Sequence, residues 1–156
     1  MTNAEFMTPV LEFAFEARVS VDDGWHVGRG ADEQLHVTPI TGGTVDGPLL
    51  NGIVLALGAD WSVKRGDTTT LEARYLLQTD DGAVIDILNR GYYRADPELE
   101  RRMEDGENIP ESKYYFRTAP VMQTDAPQYR WLAENQFIGM ARDEDGQICI
   151  RFFVLR

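Results

Sequence analysis

An Asp-Gly step between two apolar runs is the strongest short-range sign of a β-hairpin, because a tight turn needs positive φ and these residues adopt it at little cost. The chain carries it twice between long runs. LEARYLLQT and AVIDILNRGYY flank Asp81-Gly82, and NQFIGMAR and QICIRFFVLR flank Asp145-Gly146. A third Asp-Gly break, in VDDGWHV, follows VLEFAFEARVSV. There Leu11, Phe13, Phe15, Ala17 and Val19 fall on one face and Glu12, Glu16 and Arg18 on the other. Alternation of this kind reads as a half-buried strand. The glycines of ITGGTVDGPLLNG separate a short strand around residues 35–40 from the apolar run of residues 53–59.

Helix signals are sparse. In DPELERRMEDG, Asp96 suits a cap, Pro97 the first helical position, Glu98 and Glu100 the first turn and Gly106 the stop. A second short helix is expected in APQYRWLAEN. The connection from Asp96 to Lys113 is longer than a barrel hairpin needs. With 156 residues the chain fits one domain over residues 1–156 and buries roughly 68–70% of its unfolded surface. Many antiparallel strands with few helices leave a sandwich or a barrel. The barrel is preferred, because Arg74, Asp86, Asn89 and Arg117 lie in strands that are otherwise largely apolar, and a closed barrel gives such groups an interior in which to converge.

Charge narrows the function. Twenty-six Asp and Glu against 15 Lys and Arg give a net charge of −11, a field that repels phosphate backbones and anionic lipid. No nucleic-acid or membrane partner is expected. MTNAEFMTPVLEF has no basic segment followed by an apolar one, and no run approaches the length of a membrane span, so a cytoplasmic location is expected. Cys149 lies in an apolar strand and reads as a buried structural thiol. His26 and His36 have no third ligand at zinc spacing, and GGTVDGPLLNG lacks a phosphate-cradling pattern, so no metal and no cofactor is expected. Ser20, Ser62 and Ser112 stand in no nucleophile-elbow setting. In Tyr92-Tyr93 and Tyr114-Tyr115-Phe116 the faces alternate, so one member of each group should face outward.

TGGTVDGPLLNGIVLALGADW, LEARYLLQTDDGAVIDILNRG, YYFRTAPVMQT and YRWLAENQFIGMA, in that order along nearly the whole chain, resemble the bacterial and fungal family known as domain of unknown function 3237. The Gly-Pro-x-x-x-Gly segment leading to Ala-Asp-Trp is the most specific part. The resemblance implies a single antiparallel β-barrel of calycin-like appearance in an all-β chain, self-association into a homodimer or higher homo-oligomer, and no agreed activity. The positions that match are Gly43, Gly47, Pro48, Gly52, Asp60, Trp61, Arg74, Gly82, Asn89, Gly91, Arg117 and Trp131. Leu57, in ALGA, departs from the paired glycines usual there and is expected to narrow the pocket.

Asp60 and Trp61 follow an apolar run and precede Lys64 and Arg65, which places them at a barrel rim. Two readings of them stand. In one, Asp60 caps local backbone N–H groups and Trp61 plugs the barrel end. In the other, Asp60 points into a cavity opposite Arg74 or Arg117 as a general base or ligand anchor, with Trp61 as an aromatic wall. The second reading gives a catalytic set of Asp60, Arg74, Arg117 and Tyr115, and ligand contacts from Trp61, Glu72, Asp86, Asn89 and Trp131. The expected function is binding of a small molecule, as a cofactor-free isomerase, cyclase or lyase acting on an aromatic or apolar anionic compound, or else as a non-catalytic carrier.

Overall fold

The computed structural model describes residues 4–28 and 30–156. Its strands are β1 (Leu11–Val21), β2 (Trp25–Gly28), β3 (Glu33–Asp46), β4 (Gly52–Val54), β5 (Ala59–Arg65), β6 (Thr68–Thr79), β7 (Val84–Arg94), β8 (Tyr115–Gln123), β9 (Phe137–Glu144) and β10 (Gln147–Leu155). Two short helices interrupt them, α1 (Pro97–Glu104) and α2 (Trp131–Glu134). All pairings are antiparallel, and the order β1-β10-β9-β8-β7-β6 closes through β4 and β5 onto β3, which pairs back to β1. The result is an eight-position closed barrel. β4 and β5 occupy one position in tandem, and β2 continues the line of β1 along β3.

The turn chemistry operates as the sequence implies. Gly82 has φ +89°, and Asp145 and Gly146 have φ +52° and +76°, so the β6–β7 and β9–β10 hairpins turn where the Asp-Gly steps stand. Asp96 caps α1 by accepting from the Glu98 N–H at 2.9 Å, Pro97 opens the helix, and Gly106 follows its end at φ +89°.

Two strand readings need correction. β1 does not alternate cleanly: a bulge between Phe13 and Phe15 turns Leu11 and Phe13 outward and buries both Ala14 and Phe15. β3 does not stop at Ile40, because Gly42 and Gly43, at φ +141° and +147°, carry the strand on to Asp46. A Cβ on Gly43 would stand 2.0 Å from the Arg18 carbonyl oxygen, so the glycine is what lets β3 lie close against β1.

Along its axis the barrel has two levels. One is packed solid: Phe15 and Phe152 stack at 4.9 Å, and Phe137, Leu77, Ile85, Ile87, Met122 and Val154 fill the space around them. Each such side chain contributes about 1.5–3 kcal/mol by its burial. α2 closes this end with Leu132, and Trp131 lies 5.9 Å from the Phe137 ring. The other level is hollow. There α1 crosses the mouth, with Met103 packed against the core and Glu100 paired to Lys64 at 3.6 Å.

Candidate functional site

The hollow level encloses a cavity of about 440 Å³, walled mainly by apolar groups such as Val19, Ile40, Leu71, Ile150 and Phe116. The strand register decides which polar groups reach it. Asp60 stands opposite Ala73, and Ala73 opposite Asn89, so the three form one inward row across β5, β6 and β7. The small side chain of Ala73 leaves the space between the other two open. Asp60 and Asn89 are thus two strand spacings, or about 10 Å, apart at their backbones. Tyr75, two residues along β6, is diagonal to both, and Thr118, opposite Gly91, is diagonal to Asn89. All four line the cavity, with Lys64, Glu100, Glu104 and Asp143 toward the mouth.

Asp60 reaches this place through a break in the strand. After β4 the chain leaves the ladder at residues 55–58 and rejoins it with Gly58 at φ +87°, whose carbonyl accepts from Ile40 N–H at 3.0 Å. β5 therefore starts with Asp60 inward and Trp61 outward. The Asp60 carboxylate accepts a hydrogen bond from the Glu72 backbone N–H at 3.1 Å. Burial pushes its pKa up from 3.8 to about 6, against the lowering effect of that bond and with a small further rise from the Glu72 charge. It is thus poised within about one pH unit of neutrality, where a carboxyl group can both take and return a proton. Burial, and secondarily the Asp60 charge, pushes the Tyr75 phenol far up, so it remains a hydrogen-bond donor at any ordinary pH. Burial also raises Asp143 at the mouth.

The remaining expected site residues do not enter the cavity. Arg74 and Asp86 face outward and pair with each other, Nε to Oδ1 at 3.3 Å and Nη2 to Oδ2 at 2.8 Å. Glu72 and Arg90, directly opposite across β6 and β7, pair beside them at 3.2 Å. These charges stand among apolar residues because they form a cross-strand ladder on the outer wall, where opposite charges support the pairing. Arg117 donates to the Phe116 carbonyl at 2.9 Å, and its guanidinium lies 5.4 Å from the ring of the outward Tyr115, which also carries Arg94 at 4.2 Å. Tyr115 is therefore engaged outside the barrel, while Tyr114 and Phe116 are buried, as alternation requires. Trp61 is 54% exposed and plugs neither end. It shares a shallow outer hollow with Leu57, Arg74 and Asp86, so Leu57 does not narrow the interior. Trp131 belongs to the packed end.

Of the expected set, then, Asp60 and Asn89 meet in the cavity. Tyr75, Thr118, Lys64, Asp143 and the helix carboxylates Glu100 and Glu104 were not singled out in the sequence. A signal existed for three of them, since Tyr75, Thr118 and Asp143 keep step with the inward residues of their own strands.

Comparison with known proteins bears on the same fold. Residues 9–155 match the model of a family described as protein of unknown function (DUF3237). A UPF0311 protein of Rhodopseudomonas palustris strain TIE-1 is 37% identical over 150 residues, covering 92% of this chain and 96% of that one. The crystal structure of a conserved protein of unknown function from Rhodopseudomonas palustris superposes with a TM-score of 0.90 at 32% identity, over 97% of this chain and all of the other. An enzyme from Penicillium herquei has the same fold at a TM-score of 0.75 and 22% identity, over 99% of this chain and all of that one.

Proposed function

The chain belongs to the DUF3237 family, and from the placement of Asp60 we propose that it is a cofactor-free enzyme that moves a proton within an apolar small molecule, as an isomerase, cyclase or lyase. The observation that carries this reading is the Asp60 carboxyl group, largely withdrawn from water and so raised by burial, facing a cavity of about 440 Å³. In the ionised form Asp60 takes a proton from a C–H or O–H of the bound compound. The electron pair left behind shifts within that compound, and the resulting carboxylic acid returns the proton to a second atom of it. No electron carrier is required. The largely apolar wall disfavours bulk water, which strengthens the carboxylate as a base. That a fungal protein with this fold is described as an enzyme is compatible with the reading.

Anion recognition by arginine is not part of this proposal, because Arg74 and Arg117 lie on the outer wall. The carrier reading draws on the same predominantly apolar lining and separates from the enzyme in one assay. Small compounds with acidic C–H bonds are incubated with the protein in deuterium oxide, and label uptake is followed by proton NMR. Catalysed uptake that disappears in Asp60→Asn supports the enzyme. Binding without any protein-dependent uptake supports the carrier and rejects proton transfer.

A further inference from the structure

We infer that the inner end of the cavity is a subsite for a carbonyl oxygen, formed by Tyr75, Asn89 and Thr118, and that the compound it takes is a neutral ketone with an apolar body. The inference rests on the proposed proton transfer only for the role of Asp60; the subsite itself stands on geometry. Tyr75 Oη, Asn89 Oδ1 and Thr118 Oγ1 are buried without a hydrogen-bond partner among the described residues, in side chains of residues only 2%, 3% and 6% exposed. Buried polar groups are almost always paired, so three orphans on one wall of one cavity mark a place where its occupant supplies the partner. Two glycines make room for the Thr118 side chain itself, its hydroxyl over β9 and its methyl over β7. A Cβ on Gly139 would stand 2.1 Å from Thr118 Oγ1, and one on Gly91 2.7 Å from Thr118 Cγ2.

The chemistry of the three groups selects the ligand atom. Tyr75 and Thr118 each bring an O–H donor, and an asparagine amide can turn its N–H group as readily as its oxygen toward a ligand. A carbonyl oxygen has two lone pairs, so two of these three groups fill it, and it brings no donor of its own to leave unpaired. Diagonal to Tyr75, Asp60 shares the inward face and is placed to take a proton from the carbon beside that carbonyl, the charge arriving on the oxygen being met by hydrogen-bond donors. The mouth sets the ligand's charge. Glu100, Glu104 and Asp143 line it with a single amine, Lys64, which is already paired to Glu100. An anion would enter against like charge.

The test compares 2-tetralone, its hydrocarbon counterpart tetralin and the anion 2-naphthoate, binding being measured by ligand-detected NMR with the full chain. The ketone is expected to bind about fivefold or more tighter than the hydrocarbon, the gain of a net hydrogen bond, and the naphthoate not to bind. Carbonyl-labelled tetralone should show a ¹³C shift on binding that Tyr75→Phe diminishes. At least one of Tyr75→Phe, Asn89→Leu and Thr118→Val should weaken the ketone, and all three should leave tetralin unchanged. Because Tyr75 Oη and Thr118 Oγ1 have no partner among the described residues, Tyr75→Phe and Thr118→Val should melt no lower than the parent. Equal affinity for ketone and hydrocarbon, no binding of either, or ketone affinity unmoved in all three variants overturns the subsite. Tetralone that binds as expected yet takes up deuterium no faster than in buffer alone overturns the proton transfer and leaves the subsite standing.

Discussion

Replacing Asp60 by asparagine should make the protein more stable at neutral pH, and only there. The carboxyl group has an ordinary pKa of 3.8 when unfolded and about 6 in the barrel. Because the folded value is the higher one, the native state holds the proton more tightly between those two values. Stability from this group is therefore intact below pH 4, falls as pH rises from about 4 to 6, and is fully lost above 6. At about 1.4 kcal/mol per pH unit, ionised Asp60 costs the native state on the order of 3 kcal/mol at pH 7.5 relative to acid. Asparagine has nearly the same shape, keeps an oxygen that can accept from the Glu72 N–H, and never ionises. Urea unfolding of both proteins at several values from pH 3.5 to 8 isolates the effect, since the other titrating groups are common to the pair and cancel in the difference. The variant should gain up to about 3 kcal/mol between the ends of that range, or about 6–12 °C in melting temperature for a chain of this size. A difference that does not change with pH, or an asparagine variant weaker at pH 7.5 than at pH 4, would refute the reasoning and show that the carboxylate is held by charge pairing.

Three further outcomes are expected. Gly58→Ala should cost at least about 2 kcal/mol in denaturant unfolding, because the residue sits at φ +87° and the new methyl would lie 2.1 Å from the Arg74 carbonyl oxygen. Phe152→Ala, in the packed level, should cost about 3–5 kcal/mol, and Leu71→Ala, which already borders the cavity, less than about 2, a contrast read from paired melts. Cys149 is fully buried and its thiol is pushed up by burial, so Ellman's reagent should leave it unmodified in the native protein and react on unfolding.

The hairpins and α1 were legible because their signals are local: an Asp-Gly step, a cap followed by proline, a glycine at the stop. The site was harder because its two levels obey different rules. In the packed level, inward residues are apolar and alternation reads true. At the hollow level the inward positions of β5 are Asp60, Ser62 and Lys64, so hydrophobicity alone reports the wrong face. The arginines failed for the opposite reason. Arg74 lies between Ala73 and Tyr75, and Arg117 between Phe116 and Thr118, so strict counting by twos already sends both outward. Their charged partners come from neighbouring strands, as Asp86 does for Arg74, and a pairing across strands cannot be seen along one of them. Tyr75 was hidden by its ring, which reads as core, since nothing along the strand marks a hydroxyl left buried without a partner.

The division of the barrel into a solid half and a hollow half has a consequence for how such a scaffold can be varied. Every long strand runs through both halves, so the cohesion supplied around Phe15, Phe137 and Phe152 holds the backbone of the other half in place at a distance. Inward positions such as Thr38, Ser62, Thr69 and Leu71 border the cavity and meet open space on one side when they change. A combinatorial library confined to those four, screened against compounds of different outline, should return many folded barrels with new preferences, whereas the same diversity placed at Leu77, Ile85, Ile87 and Val154 should return few that fold.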